Sequence, residues 1–306
     1  MQKTWEDSIT LNSAVEPTFE VLSPAASHFE SDSRKGTWDT LNFAKALKKD
    51  TYPLPMTKDR EGYYGEDHFS YWASGLQDTQ MLLEATATYN HKVESYLDFG
   101  CASGRVIRHF AIQHPEIRTC GCDINRLHVE WCNTYLPSNC IVFQNHSIPT
   151  IPLPDASLDL ISAFSVFTHI DAMETTWLME IVRLLRPGGL AWLTVHTDGT
   201  LHDMDKNWPL WKPTMDHPLA TKLLDGKRNF DGDRIILRWH PDASYSSNVF
   251  YKQAYINKVW GRILNIVEFR RRCPNFQDVV LVQKPVDVAG RAYRQKTAFG
   301  DQHFQV

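Results

Sequence analysis

The sequence has few cysteines and no evident set of metal ligands. Six cysteines in 306 residues are too few for a disulfide-stabilised scaffold. Cys120 and Cys122 are separated by one residue, which is not the spacing of a zinc knuckle, and no nearby His or Cys pair completes four ligands. The cysteines are therefore expected to be reduced, partly buried thiols in a reducing compartment, and no metal is predicted.

Long apolar runs and an excess of positive charge are also missing. Residues 1–19 contain no continuous apolar segment, and no run approaches the length of a membrane span. The formal net charge is −4, whereas proteins that bind nucleic acid usually present a basic surface. The one basic cluster, residues 270–272, is interpreted as the end of a solvated strand. These features predict a cytoplasmic protein with neither a membrane nor a nucleic acid as its partner.

The sequence does contain an alternation of strand-like and helix-like segments over residues 95–197. The segment SYLDFG has the composition of a short buried strand, and SGRVIRHFAIQH, which follows it, has apolar residues at helical spacing. Five such strands separated by helices predict a parallel sheet covered on both faces. Two further strand-like segments, LNIVEFRRR and FQDVVLVQK, bring the total to seven and predict an antiparallel last strand.

Changes in composition divide the chain into three parts. Residues 1–75 begin with a polar, proline-dotted stretch and are predicted to form an N-terminal arm or cap. Residues 76–285 form the predicted α/β domain. It contains an insertion after the fifth strand, residues 200–245, which is rich in Asp, Lys, Pro and Trp and is interpreted as a lid over the substrate. Residues 286–306 are a C-terminal tail.

The segment YLDFGCASGR, residues 96–105, is the first candidate for a ligand-binding turn. In a doubly wound sheet, ligands bind at the carboxyl ends of the strands where the strand order reverses. Gly100 and Gly104 would allow close approach to the backbone at the start of a helix. A dinucleotide fingerprint needs glycine where Ala102 and Arg105 stand. Asp123, at the end of the second strand, suits ribose hydroxyls in a dinucleotide and in other nucleoside ligands alike.

Three blocks in order carry a family resemblance. They are the pattern D-x-G-x-x-x-G at residues 98–104, the turn and strand IPLPDASLDLISAFSVFTHI, and the helix and strand LMEIVRLLRPGGLAWLTVHT. Together they resemble class I S-adenosylmethionine-dependent methyltransferases that act on small molecules. Leu158 stands where that family usually has Phe, and Ala102 where it more often has Gly. The resemblance implies a Rossmann-like enzyme that uses S-adenosylmethionine and releases S-adenosylhomocysteine.

The resemblance also implies ten cofactor-binding residues at the carboxyl ends of the first four strands. They are Asp98, Gly100, Cys101 and Gly104 at the methionine end, Asp123 at the ribose, Ile124, Asn145 and His146 around the adenine, and Phe164 and Ser165 beside the methyl group.

Two histidines are candidate catalytic residues. His169 follows the fourth strand and His196 ends the fifth, so both belong to the edge of the sheet that binds ligands. A general base helps when the methyl acceptor is a hydroxyl, and His196 is placed slightly ahead of His169. The resemblance and the many aromatic residues outside the core favour a small-molecule acceptor, most simply the hydroxyl of a sugar or natural product. The tetrad that marks amino methylation of nucleobases is missing where AFSV follows the fourth strand.

Three alternatives stay open. An N-methyltransferase for an amine or peptide would use acidic residues in its pocket and need little help from a base. An NAD-dependent oxidoreductase could use a similar sheet, although the glycine spacing argues against it. A methyltransferase fold without catalysis could serve as a scaffold. The sequence does not indicate an oligomeric state.

Overall fold

A computed structural model of the chain describes residues 18–23, 29, 43–89, 91–240, 246–273 and 276–286. Most of the first 42 residues of the predicted arm lie outside this part, and so does the predicted tail apart from Val286.

The described elements begin with short segments of the cap. These are β1 (Val21–Leu22), α1 (Phe43–Lys49), β2 (Leu54–Pro55) and a 3-10 helix (Thr57–Arg60). The longer α2 (His68–Thr88) runs from the cap into the predicted α/β domain. The strands and helices of the central region follow. These are β3 (Ser95–Phe99), α3 (Ile107–Gln113), β4 (Arg118–Asp123), α4 (Arg126–Tyr135), β5 (Cys140–Gln144), β6 (Leu158–Ala163), α5 (Glu174–Leu184) and β7 (Leu185–Thr197).

The C-terminal part adds the remaining elements. They are α6 (Asp198–Asp203), α7 (Trp211–Asp216), α8 (Ala220–Leu223), β8 (Arg234–Arg238), β9 (Ser247–Tyr251), α9 (Gln253–Val259), a second 3-10 helix (Trp260–Arg262), β10 (Asn265–Arg270) and β11 (Asp278–Gln283). None of the described helices combines the length and apolar character that a membrane crossing requires.

The main sheet has the strand order β10-β11-β7-β6-β3-β4-β5. Strands β3 to β7 are parallel, β11 runs antiparallel to β7, and β10 runs antiparallel to β11. The chain proceeds from β3 to β5 on one side and then crosses to β6 on the other, so the strand order reverses at β3. The prediction of a doubly wound α/β sheet with an antiparallel last strand is confirmed.

Alternate residues of the strands build two apolar layers. Leu97 and Ile161 face a cluster that includes Trp177 of α5 and Ile256 of α9. On the other face, Tyr96, Leu160 and Trp192 join side chains of α2, α3 and α4. The sheet is therefore buried on both sides, which explains the nearly continuous apolar sequence of its strands.

Strands β8 and β9 were not predicted. They pair antiparallel with each other, and β9 continues the sheet beyond the end of β7, where His196 pairs with Phe250 and Thr197 with Tyr251. Part of the predicted insertion therefore forms sheet. Its apolar side chains share a cluster of their own that includes Leu201, Trp208 and Leu237.

A buried ion pair attaches the cap to the central domain. Arg108 of α3 donates two hydrogen bonds to the carboxylate of Asp50, with donor–acceptor distances of 2.7 and 3.0 Å, and Trp72 Nε1 donates a third at 2.7 Å. Both charged side chains are 0% exposed. Burial alone would raise the pKa of Asp50, but the charge and hydrogen bonds of Arg108 hold that pKa below its usual range.

Candidate active site

A cavity of about 700 Å³ opens at the carboxyl ends of β3 to β6, where the strand order reverses. Its walls come from the loop between β3 and α3, from the residues that follow β4, β5 and β6, and from the cap segment around residues 60–71. The volume is that of a site for a drug-sized or cofactor-sized molecule.

Ten of the twelve residues predicted for the site line this cavity. They are Asp98, Gly100, Cys101, Asp123, Ile124, Asn145, His146, Phe164, Ser165 and His169. The other two, Gly104 and His196, do not line it. The structure thus brings residues from four strand ends to one place.

The loop after β3 has an unusual backbone. Gly100, Ala102 and Gly104 have positive φ angles of 77°, 46° and 83°. A Cβ atom at Gly100 would come within 2.4 Å of Val166 Cγ2, so this position needs glycine for space as well as for conformation. Gly104 shapes the same turn without reaching the cavity, since its N–H donates to the Cys101 carbonyl at 2.9 Å.

Ala102 is the strained residue of the loop, because a left-handed conformation is unfavourable for a residue with a Cβ atom. We expect Ala102→Gly to raise the free energy of unfolding by about 0.5–1 kcal/mol, since relief of the strain exceeds the added entropy of the unfolded chain. Urea denaturation measures the change. Gly226→Ala is the matched control for the entropy of the unfolded chain. It exchanges the same two residue types at a position where a Cβ atom meets open space and φ is not positive. If the Ala102→Gly protein is less stable than the wild type, the backbone at Ala102 is not strained.

Asp98 is a nearly buried carboxylate at the base of the loop, with 2% of its surface exposed. Ser162 Oγ donates to its Oδ1 at 2.9 Å, and the Tyr96 hydroxyl lies 2.6 Å from Ser162 Oγ. Burial raises the pKa of Asp98 to about 6, against the opposing effects of the Ser162 hydrogen bond and the charge of Arg105. At neutral pH the cavity therefore contains a poorly solvated negative charge, which favours a cationic ligand.

Asp123 occupies the end of β4. Its two carboxylate oxygens accept hydrogen bonds from the backbone N–H groups of Ala102 and Asn125, both at 2.8 Å. These two bonds fix the orientation of the side chain and leave part of its acceptor capacity unused, since a carboxylate can accept about four hydrogen bonds. Asp123 is thus held ready to accept hydrogen bonds from a ligand that carries neighbouring hydroxyl groups.

The ends of β4 and β5 form the adjoining wall. The Asn145 N–H donates to the Asp123 carbonyl at 3.1 Å, and Asn145 Nδ2 donates to the His146 carbonyl at 3.1 Å. Gln144 Nε2 donates to the Ile124 carbonyl at 3.1 Å. This wall combines an apolar side chain, Ile124, with amide and imidazole groups, as a flat heteroaromatic ligand requires.

The opposite end of the cavity follows β6. Ser165 has a positive φ of 58°, and its N–H donates to Thr194 Oγ1 at 2.6 Å. Gln277 Nε2 donates to Ser165 Oγ at 2.8 Å. Phe164 and Phe276 add aromatic surface beside this polar pair. Backbone strain that is fixed by hydrogen bonds in this way is common at functional sites.

His169 lines the same end and has a defined tautomer. Its Nδ1 lies 2.6 Å from the Ser247 carbonyl oxygen, which can only accept, so Nδ1 carries the proton and Nε2 carries the lone pair. Burial lowers the pKa of His169, although the hydrogen bond to Ser247 acts in the opposite direction. His169 is therefore neutral at pH 7.

The sequence favoured His196 over His169 as the candidate base, but the structure buries His196. Its ring is 1% exposed and packs edge-on against Phe250, with ring centroids 5.1 Å apart. Burial lowers its pKa to about 3. Strand β9, which covers it, comes from a distant part of the sequence, so sequence reasoning could not find this burial.

Several cavity residues were not among those predicted. The cap contributes Arg60, Glu61, Tyr63, Tyr64 and Tyr71 to the lining. The cluster of tyrosines was a usable signal, because aromatic residues stand out in an otherwise polar segment. Among the described residues of the predicted lid, Pro209 alone lines the cavity.

Arg105, which directly follows Gly104, is a further unpredicted cavity residue. It forms an ion pair with the buried Asp78, and its guanidinium carbon lies 5.5 Å from the centre of the Phe164 ring.

No cluster of three or more potential metal ligands occurs in the part of the chain that the structure describes.

Comparison with known proteins gives a domain match. Residues 97–193 match the family described as "Methyltransferase domain". A malonyl-[acyl-carrier protein] O-methyltransferase of Hahella chejuensis is 24% identical over 115 residues, which are 38% of this chain and 41% of that protein. The chain thus matches about two fifths of the length of this curated relative.

Solved structures of low sequence identity were also found. An S-adenosylmethionine-dependent methyltransferase of Clostridium acetobutylicum is 14% identical, with a TM-score of 0.49 over 71% of this chain and 92% of that one. The 1,6-didemethyltoxoflavin-N1-methyltransferase of Burkholderia thailandensis is 12% identical, with a TM-score of 0.47 over 89% of this chain and 93% of that one.

Proposed function

We propose that the chain is a class I S-adenosylmethionine-dependent methyltransferase, which the match of residues 97–193 to the family described as "Methyltransferase domain" supports. It methylates a small-molecule acceptor, and the acceptor atom is a hydroxyl oxygen. The observation that carries the proposal is the pair of oriented carboxylates, Asp98 and Asp123, on either side of the loop after β3.

The carboxylates and the adjoining walls of the cavity fit this cofactor better than a dinucleotide. The buried negative charge of Asp98 beside the loop would repel a pyrophosphate, whereas it would attract the ammonium or sulfonium group of S-adenosylmethionine. Asp123 would accept hydrogen bonds from the ribose hydroxyls. Ile124, Asn145 and His146 would enclose the adenine, and Phe164 and Ser165 would border the methyl group. The nicotinamide alternative is therefore not proposed.

His169 supplies the proton acceptor that a hydroxyl substrate needs. When bound, the cofactor supplies an activated methyl group. The acceptor oxygen would take this methyl group from the cofactor, and Nε2 of His169 would take up the hydroxyl proton. The tautomer fixed by Ser247 is the one this step requires.

The cavity walls support an acceptor with a flat or apolar body. Tyr63, Tyr64 and Tyr71 of the cap face the same space as Phe164 and Phe276, and aromatic rings bind planar rings and sugar faces well. A natural-product or sugar hydroxyl fits this lining. The relative from Hahella is also named as an O-methyltransferase. Asp171 and Glu61 line the cavity too, so an amine acceptor is the competing proposal.

Calorimetric titration tests cofactor binding. We expect micromolar binding of S-adenosylmethionine and S-adenosylhomocysteine and no binding of NADH. Asp123→Ala should weaken cofactor binding about 30- to 100-fold, because charge-assisted hydrogen bonds to the ribose are lost. Asp155→Ala, which removes a carboxylate that is 78% exposed, is the control and should bind as the wild type does. Unchanged affinity in Asp123→Ala would contradict the proposed site.

A further inference from the structure

A charged cluster joins the cap to the ribose side of the proposed cofactor site. Glu61 is the C-cap residue that follows the first 3-10 helix, His128 lies in α4, and Asp123 ends β4. All three line the cavity. His128 Nε2 is 3.7 Å from Glu61 Oε1, and His128 Nδ1 is 3.7 Å from Asp123 Oδ1. The imidazole therefore lies between two carboxylates that belong to different parts of the chain.

The backbone of the cap holds Glu61 at this position. Glu61 has a positive φ of 55°, and the N–H of Gly62 donates to the Thr57 carbonyl at 2.9 Å. Asn125 Nδ2 donates to Glu61 Oε1 at 3.1 Å. Ser103 of the cofactor loop also donates its hydroxyl to the Asp59 carbonyl. The cap thus meets the cofactor loop and the start of α4 through polar contacts.

The charges around His128 are mostly negative. Asp123 faces it from β4, and Asp59 and Glu61 face it from the cap. On its own helix, Arg126 and Glu130 pair with each other. Lys58 of the cap pairs with Glu20.

These carboxylates determine the protonation of His128. Burial lowers the pKa of His128, but the contact with Asp123 and the charges of Glu61 and Asp59 outweigh this effect and raise the pKa above its usual value. The imidazole therefore keeps its positive charge to a higher pH than a free histidine does.

We infer that protonated His128 bridges Glu61 and Asp123, and that this bridge positions the cap over the ribose side of the cofactor site. Glu61 and His128 are then positioning residues for cofactor binding, because they act through the cap and through the orientation of Asp123. The inference rests on the proposed function, which places the ribose at Asp123.

The contribution of the bridge to cofactor affinity depends on pH in one direction. A histidine whose pKa is raised in the folded protein stabilises the bridge fully below its ordinary pKa of about 6.5, and that contribution is lost as the pH rises through the higher folded value. The cap should therefore hold the cofactor more tightly at pH 6 than at pH 9.

The experiment measures the dissociation constant of S-adenosylhomocysteine by calorimetry from pH 6 to pH 9, for the wild type, Glu61→Gln, His128→Gln and the double variant. Gln at position 61 keeps an oxygen for Asn125 but removes the charge. Glu116→Gln and His114→Gln remove the partners of a more exposed His–Glu pair outside the cavity and serve as matched controls. Thermal unfolding of each variant checks that it is folded.

Relative to the bridge variants, the wild type and both controls should lose about three- to tenfold in affinity between pH 6 and pH 9, since the titration of Asp98, whose pKa is about 6, affects all of them alike. Each bridge variant should bind about three- to tenfold more weakly than the wild type at pH 6, and this difference from the wild type should disappear by pH 9. The double variant should be no weaker than either single one, because both remove the same interaction.

Folded bridge variants that keep the affinity and the pH profile of the wild type would overturn the inference while leaving the proposed function intact. A wild type that does not bind S-adenosylhomocysteine at any pH would instead overturn the proposed function and this inference with it.

Discussion

Asp50→Ala is expected to lower the free energy of unfolding by about 3–5 kcal/mol, because it leaves the guanidinium of Arg108 buried without a partner charge. Both side chains of the pair are completely buried. The substitution also removes the acceptor for Trp72 Nε1, and it frees the segment that connects α1 to the first 3-10 helix. In the Asp50→Ala protein, the cap should therefore detach from α3.

Urea denaturation followed by tryptophan fluorescence measures the loss. Asp155→Ala is the control, because the Asp155 side chain is 78% exposed in its ion pair with Arg183. This substitution should lower the free energy of unfolding by less than about 1 kcal/mol. Equal effects of the two substitutions would contradict the assignment of Asp50 as the anchor of the cap.

The Asp50 pair also has a defined pH dependence. The pKa of Asp50 is lowered in the folded protein from an ordinary value of 3.8. Its contribution to stability is therefore complete above the ordinary value and is lost as the pH falls through the lower folded value. Asp50→Ala should accordingly remove part of the acid sensitivity of the wild type.

His169→Gln should lower turnover by about 10²- to 10⁴-fold, the range for loss of a general base, while the affinity for S-adenosylhomocysteine stays unchanged. Glutamine keeps a hydrogen-bond donor for the Ser247 carbonyl but does not take up a proton near neutral pH. The assay is transfer of a labelled methyl group to an acceptor found by screening phenols, sugars and amines. His202→Gln, at an exposed position in α6, is the control.

The pH profile distinguishes the two acceptor classes. Burial lowers the pKa of His169, so the proposed base is unprotonated at neutral pH. Methylation of a hydroxyl acceptor should therefore slow only as the pH drops below about 6.5. If turnover persists in His169→Gln and an amine is methylated, the hydroxyl proposal is wrong and the N-methyltransferase alternative takes its place.

The sequence predicted the features that depend on local pattern. The apolar segment that ends at Phe99 and the glycines at 100 and 104 predicted the strand and the turn, because these depend on residues that are close together in the chain. The position of Asp123 followed from the same alternation of strands and helices. Ten predicted site residues accordingly share one cavity.

The features that the sequence did not predict depend on distant segments. His196 ends a strand of the predicted binding edge, but β9 pairs with that strand and buries the ring. Glu61 belongs to a weakly periodic segment, and only the folded chain brings it to His128. The segment RIILR was interpreted as part of an irregular insertion, although its alternating burial is that of a strand.

The order of the strands also sets when the site can form during synthesis. Strand β3 carries Asp98 and pairs with β6, and Ser162 of β6 supplies the hydrogen bond to Asp98. A growing chain whose last emerged residue precedes Leu158 has the glycine loop but not this partner strand. Because a chain emerges from the ribosome from the N-terminus onward, the first half of the site must wait for the second. The proposed cofactor can therefore bind at Asp98 only after β6 has been synthesised.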